Sequence, residues 1–221
     1  SAALATAKFY PRAMPPGPRP RVLLVSPFAL FPPSHGGARR VSELVQRLAA
    51  RIDFILLGDE RSLYDARSHA GFQSFRAVHL IEGRGDRAGE APLDLPARLA
   101  RHPHPGLRAE LRRLLALYRP DVVQVEFMEL AALIDEREAD GARWLLALHD
   151  VYLDGGPHDA LQLRLLRGYD ALTAVSPEDL ALLPPERARL VPNGAPQHGP
   201  YAPSPDTPHV LFMGPFRYRQ N

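Results

Sequence analysis

The sequence predicts a doubly wound α/β domain built on a parallel sheet. Three observations carry that prediction. Short apolar runs such as Arg21-Val-Leu-Leu-Val-Ser26 lack polar alternation, as strands buried on both faces do. Between them lie stretches with apolar residues at helical spacing, such as Val41, Leu44, Val45 and Leu48. The two kinds of segment alternate along the chain, which is the order of strand–helix–strand units.

The elements follow in order. Residues 21–26 form the first strand, and their uniform apolarity places it centrally in the sheet. A loop rich in proline and glycine runs over residues 27–37, ahead of the helix that carries Val41 to Leu48. Residues 52–57 read as the second strand, 62–70 as a short helix and 77–81 as the third strand. Residues 82–96 are polar and glycine-rich and predict no element. Leu107, Leu111, Leu114 and Leu115 predict a helix over residues 107–118, with Pro120 just past its end. Residues 121–125 read as the fourth strand, 127–134 as a helix, 144–148 as the fifth strand and 161–166 as part of the next helix. Residues 171–175 read as the sixth strand. Pro177 occupies the first turn of a helix running to Leu183. Leu190 and Val191 form a brief seventh strand before Pro192-Asn-Gly194.

The ends read differently. Residues 1–20 are dense in proline and have no signal-type apolar core, which predicts a flexible tail. The first domain spans residues 21–195, and a proline-rich linker spans 196–208. Residues 209–213, with Gly214 after them, read as the first strand and turn of a second domain. That apolar run predicts docking or self-association through 209–213, because an isolated strand exposes unpaired backbone.

Composition narrows the chemistry. With 221 residues, 45% of them apolar and 24% charged, the chain is long enough for a full core and ordinary for a globular protein. It has no cysteine, which excludes disulfides, thiolate zinc sites and a cysteine nucleophile, and fits a reducing cytoplasm. No apolar run reaches the roughly 18 residues of a membrane span. Lys8 is the only lysine among 27 basic side chains. The arginines are spread without interleaved aromatics, against a nucleic-acid partner.

In an open parallel sheet, ligands bind at the carboxyl ends of the strands. The residues there are Ser34-His-Gly-Gly37 after the first strand, Glu126 and Phe127 after the fourth, and His149 and Asp150 after the fifth. Ser176 follows the sixth, and Asn193 and Gly194 the seventh. Gly36 and Gly37 precede a helix N-terminus, where backbone can approach and cradle a phosphate; a plain helix-entry turn uses the same pair. Arg39 and Arg40 in the first turn oppose the helix dipole unless an anion is near; a solvated face is the other reading. His149 can polarise a sugar hydroxyl or a phosphate, and Glu126 can accept a hydroxyl hydrogen bond or pair with an arginine. We expect Gly36, Gly37, Glu126, His149 and Ser176 to border one concave surface. No His–carboxylate cluster has metal-ligand spacing, and there is no GxSxG elbow, Walker-A loop or GxGxxG fingerprint.

Taken together, these pieces resemble the N-terminal half of a family-4 retaining glycosyltransferase of the GT-B type. The matching segments are Arg21 to Ser26 with His35-Gly-Gly-Ala-Arg-Arg40, then Asp121-Val-Val-Gln-Val-Glu126, then Leu148-His-Asp150. Tyr169-Asp-Ala-Leu-Thr-Ala-Val-Ser176, Val191-Pro-Asn-Gly194 and Val210-Leu-Phe-Met-Gly214 complete them. The resemblance implies two Rossmann-like domains facing a cleft and transfer of a sugar, with retention, from a nucleotide diphosphate donor. It implies no metal and no cofactor. The acceptor would be a glycan or a lipid-linked acceptor in glycan or polysaccharide biosynthesis, in the cytoplasm, with peripheral association at the inner face of the membrane. By position, His149 takes the place near the transferred sugar, and Glu126, read from its strand end, joins it as a catalytic candidate. Gly36, Gly37, Asn193, Gly194, Gly214 and Arg217 become donor, hinge or phosphate contacts, with Arg219 competing with Arg217; Arg40 and Ser176 join them from their places after the strands. Residues 209–221 would open the donor-binding domain, so this chain alone is expected to be inactive. A non-catalytic Rossmann-like ligand-binding module is the alternative reading.

Overall fold

A computed structural model describes residues 6–9, 19–82, 95–139, 141–153 and 155–194. The segment from 209 to 221, with Gly214, Arg217 and Arg219, lies outside them, as does the linker.

Eight strands make one sheet: β1 (Thr6–Phe9), β2 (Arg21–Ser26), β3 (Asp53–Gly58), β4 (Ala77–Leu80), β5 (Val122–Glu126), β6 (Arg143–Ala147), β7 (Ala171–Ala174) and β8 (Ala188–Leu190). Their order is β1-β4-β3-β2-β5-β6-β7-β8, with β2 to β8 all parallel. The Rossmann-like fold read from the sequence is therefore present, with β2 at the centre. The chain order reverses at β2, between β3 and β5. Such a switch point opens a crevice at the carboxyl ends of the strands.

Helices α1 (Gly36–Leu48), α2 (His69–Phe72), α3 (Leu95–Arg101), α4 (Pro105–Tyr118), α5 (Asp159–Arg167) and α6 (Pro177–Ala181) connect the strands. Helix α1 forms because Ala38, Val41, Ser42 and Val45 make one buried face, and because the His35 ring caps its N-terminus through Nδ1, 3.2 Å from the Ala38 N–H. Helix α4 starts at Pro105 behind the capping His104 and stops where Arg119 turns left-handed.

The two faces of β2 feed two cores. Leu23 and Val25 join Leu107, Leu111, Leu114, Trp144 and Tyr169 on the α4–α5 side. Val22 and Leu24 join Val41, Val45, Phe54 and Phe75 on the α1 side. Each such side chain, fully buried, contributes about 1.5–3 kcal/mol. The α1-side core stops at Val122. Beyond it, a groove of about 200 Å³ remains between Leu44 and Leu48 of α1 and Leu145 and Thr173 of the sheet.

Four local readings change. Thr6–Phe9, read as part of a flexible tail, is a strand antiparallel to β4, with Ala7 opposite His79. The helix read over 62–70 is two 3₁₀ turns, Arg61–Leu63 and Ala66–Ser68, leading into the four-residue α2. The helix read over 127–134 is a 3₁₀ segment, Met128–Glu136. The stretch with no predicted element ends in α3, whose Leu99 enters the core.

Candidate functional site

The parallel sheet brings the residues after β2, β5 and β6 to one edge. Glu126 closes β5 and is 1% exposed. Ala147 pairs with it in register, so His149, two residues on, reaches back over the strand end. Its Nε2 lies 2.9 Å from Glu126 Oε2. The other carboxylate oxygen, Oε1, accepts from Gln124 Nε2 at 2.5 Å. A carboxylate only accepts, so Nε2 carries the ring proton and Nδ1 keeps its lone pair in the neutral imidazole. That nitrogen has no hydrogen-bond partner among the described residues and faces the helix-entry turn. It stands 3.3 Å from where a Cβ on residue 37 would be.

Phe127 fills the space between. Its ring stacks on the His149 ring with centroids 3.9 Å apart and planes 13° off parallel. Its Cζ would stand 2.5 Å from a Cβ at residue 37, so only glycine fits there. A Cβ at Gly36 meets nothing within 4 Å. Phe127 adopts φ 68°, a region a bulky side chain enters at a cost of about 1–3 kcal/mol. Burial holds the His35 imidazole below its ordinary pKa, and repulsion from His149, when that ring is protonated, adds to the effect. With its Nδ1 accepting from Ala38, neutral His35 carries its proton on Nε2.

Arg40, on the next turn of α1, donates to Asn193 Oδ1 at 2.9 Å and to the Val191 carbonyl at 2.5 Å. Burial lowers its pKa, and the nearby charge of Glu126 works against that. These bonds tie α1 to the segment leaving β8. They use donors that the sequence reading gave to a phosphate. Beside them a cleft of about 570 Å³ is lined by Gly36, Arg39, Arg40, Asn193 and Gly194.

Ser176 sits elsewhere in the scheme. It caps α6, accepting from the Asp179 N–H at 3.0 Å and donating to Asp179 Oδ2 at 2.8 Å. The proton of its hydroxyl and one of its lone pairs are taken inside the first turn, where they cap the helix. Gly36, Gly37, Glu126 and His149 do gather at one edge; Ser176 is not tied to them. Sequence reasoning gave no role to Gln124, Phe28 or the ring of Phe127, although Phe127 directly follows a buried strand. Phe28 meets the Phe127 ring edge-on at 5.1 Å.

Two other features of the sheet contrast with this one. Buried Asp59 and half-buried His104 form a second pair, Nε2 to Oδ2 3.1 Å, at the end of β3. There Nδ1 accepts from the Leu107 N–H, so both ring nitrogens are used and the pair fixes α4 in place. A larger cavity, about 810 Å³, lies at the opposite edge, against Val122, Arg143 and Trp144 at the amino ends of β5 and β6. It holds no glycine turn before a helix and no His–carboxylate pair. We place the chemistry at the carboxyl edge on those grounds. Among the described residues no group of His, Cys, Asp or Glu has the arrangement of a metal site, and no helix is long and apolar enough to cross a membrane.

The fold is that of a Rossmann-like α/β domain, with a candidate ligand site at its topological switch point. No protein-family model matches the chain, and no curated protein matches its sequence. Solved structures do match in fold. A sucrose-phosphate synthase from Thermosynechococcus elongatus superposes with a TM-score of 0.55 at 16% identity, over 80% of this chain and 49% of that one. A glycosyltransferase from Rickettsia africae gives 0.50 at 14% identity, over 80% and 43%. An Arabidopsis thaliana protein complexed with UDP gives 0.51 at 14% identity, over 81% and 50%. The chain thus spans about half the length of these three proteins.

Proposed function

We propose that the chain is the acceptor-side half of a glycosyltransferase that moves a hexose from a nucleotide diphosphate sugar to a glycan or lipid-linked acceptor. The observation that carries this reading is the Glu126–His149 pair, which leaves one acceptor nitrogen facing the Gly36–Gly37 turn. Gly36 and Gly37 let a donor diphosphate come close to the N-terminus of α1, where backbone N–H groups favour an anion. His149 Nδ1 then accepts a hydrogen bond from a sugar hydroxyl and fixes the ring over the turn. Glu126 holds the imidazole in the tautomer that permits this, and stabilises it when it gains a proton. Positioning of donor and acceptor supplies most of the rate in such a site. The names of the proteins sharing the fold support the reading, because two of them describe sugar-transferring enzymes.

The finer parts of the proposal follow the family resemblance. Retention, independence of metal and cofactor, the donor contacts Gly214 and Arg217, and action in the cytoplasm at the inner membrane face belong to it. So does a second domain that binds the nucleotide. The test is an assay of the longer polypeptide against a panel of nucleotide sugars, with and without EDTA. We expect transfer that survives EDTA, a product with the donor's anomeric configuration, and a loss of about 10²-fold or more in kcat for His149→Ala. Tight binding of a nucleotide sugar with no turnover would instead support the ligand-binding module.

A further inference from the structure

We propose that Phe127 is the positioning residue of the carboxyl-edge site, a plate that holds the His149 imidazole with Nδ1 turned toward Gly37. The proposal rests on reading that edge as the site of chemistry. An ordinary strand residue at 127 would follow the pleat onto the face of Val123 and Val125. Instead the backbone swings to φ 68°, ψ 147°. It is pinned there from both sides: its N–H donates to the Ala147 carbonyl at 3.0 Å, and its own carbonyl accepts from the Leu130 N–H at 3.2 Å.

The swing carries the ring out of the sheet. One flat face meets His149 at 3.9 Å, and Phe28 meets it edge-on. The hydrogen bond from Nε2 to Glu126 fixes one atom of the imidazole and leaves the ring free to tilt about that point. A parallel ring at stacking distance removes the tilt. The bond and the stack together determine where Nδ1 points. A bulky residue at positive φ persists when its surroundings over-determine it, and such residues collect at ligand sites. Glycine at 127 would remove the strain, and it would also remove the ring. The same ring explains Gly37, whose Cβ would meet Phe127 Cζ and Cε1 at 2.5 and 2.8 Å.

The test uses the 221-residue chain labelled at histidine with ¹⁵N and ¹³C. In the parent chain we expect His149 ring protons shifted upfield by the stack, with Nδ1 as the unprotonated nitrogen of the neutral ring. Phe127→Leu keeps bulk and loses the flat face. It should move the His149 nitrogen shifts at least halfway toward those of exposed histidines in the same spectrum. Gly37→Ala gives a second measurement: it should lower Tm in the parent chain and have much less effect beside Phe127→Leu. In the longer, active polypeptide, Phe127→Leu should lower kcat about tenfold with donor KM little changed. A folded Phe127→Leu protein whose His149 shifts match the parent would overturn the proposal. The NMR arms need no substrate, so failure of the glycosyltransferase reading leaves them standing.

Discussion

At the scale of the residue, two neighbouring glycines have different duties. Gly37 faces the Phe127 ring and His149; Gly36 is exposed and faces nothing. Gly37→Ala forces the ring or the helix to move and should cost about 1–3 kcal/mol by overpacking. Gly36→Ala should leave stability unchanged or raise it by about 0.5–1 kcal/mol, because alanine suits a helical position better. Thermal melts of the two variants check this. The sequence marked both glycines alike, since only the third dimension shows which one has a ring above it. Glu126 and His149 were legible because each directly follows a buried run. The reversed backbone at Phe127 was not, because nothing in its side chain calls for positive φ.

His79 gives a pH dependence at the same scale. It is 1% exposed, with Nε2 2.9 Å from the Tyr118 hydroxyl. Glu110 and Arg113 face its other nitrogen, at 3.5 and 3.3 Å. Burial lowers its pKa; Glu110 pulls the other way, and Arg113 adds to the lowering. The unfolded chain therefore takes up the proton first as pH falls through about 6.5. Stability from the neutral His79 is fully present above that pH and is lost as pH drops toward the lower folded value. His35 is shifted the same way, so its share must be separated. We expect Tm to fall between pH 7 and pH 5, with a shallower fall in His79→Gln. Parallel Tm profiles for the two proteins would contradict the assignment.

At the scale of the element, the 3₁₀ segment after β5 is held by arginines of α4 as well as by its own turns. Arg108 and Arg112 of α4 donate to the two oxygens of Glu136, at 2.7 and 2.6 Å. Burial alone would raise the Glu136 pKa, but these two bonds hold it below the ordinary value. Arg108 also reaches the Ala132 carbonyl at 3.0 Å. Glu136→Gln should cost about 1–2 kcal/mol, read as a lower urea midpoint with an unchanged slope. The apolar spacing of 127–134 gave the segment a helical reading. It is wound more tightly, and it is entered through Phe127 at positive φ. Strand positions were clearer, because β-branched runs between turn residues have few other uses in a parallel sheet. The edge strand Thr6–Phe9 was missed, since four residues beside a proline-rich stretch carry too little pattern.

At the scale of the whole molecule, our proposal makes the chain one wall of a cleft. Its glycine turn, His–carboxylate pair and the Arg40–Asn193 tie lie along one edge, next to the 570 Å³ cleft. Under our proposal the nucleotide pocket belongs mostly to a second domain. The purified 221-residue chain should then show no measurable sugar transfer and weak, millimolar binding of donor, because a half-site cannot exclude water. Robust turnover by this chain alone would count against the two-domain account. The parallel sheet and its central strand could be read from alternation and from the apolar run at 21–26, and the candidate edge from the residues following each strand. The division of labour between neighbours could not, because it depends on close approach across the switch point.

The most direct test of the site is a map of ligand contacts on this chain. We would titrate the labelled protein with millimolar nucleotide diphosphate sugars and follow amide and histidine resonances. The account predicts shifts confined to Gly36, Gly37, His149, Asn193 and Gly194, with Arg119, Arg143 and Trp144 at the amino edge unmoved. Shifts at those amino-edge residues, with His149 and Gly37 unchanged, would contradict it.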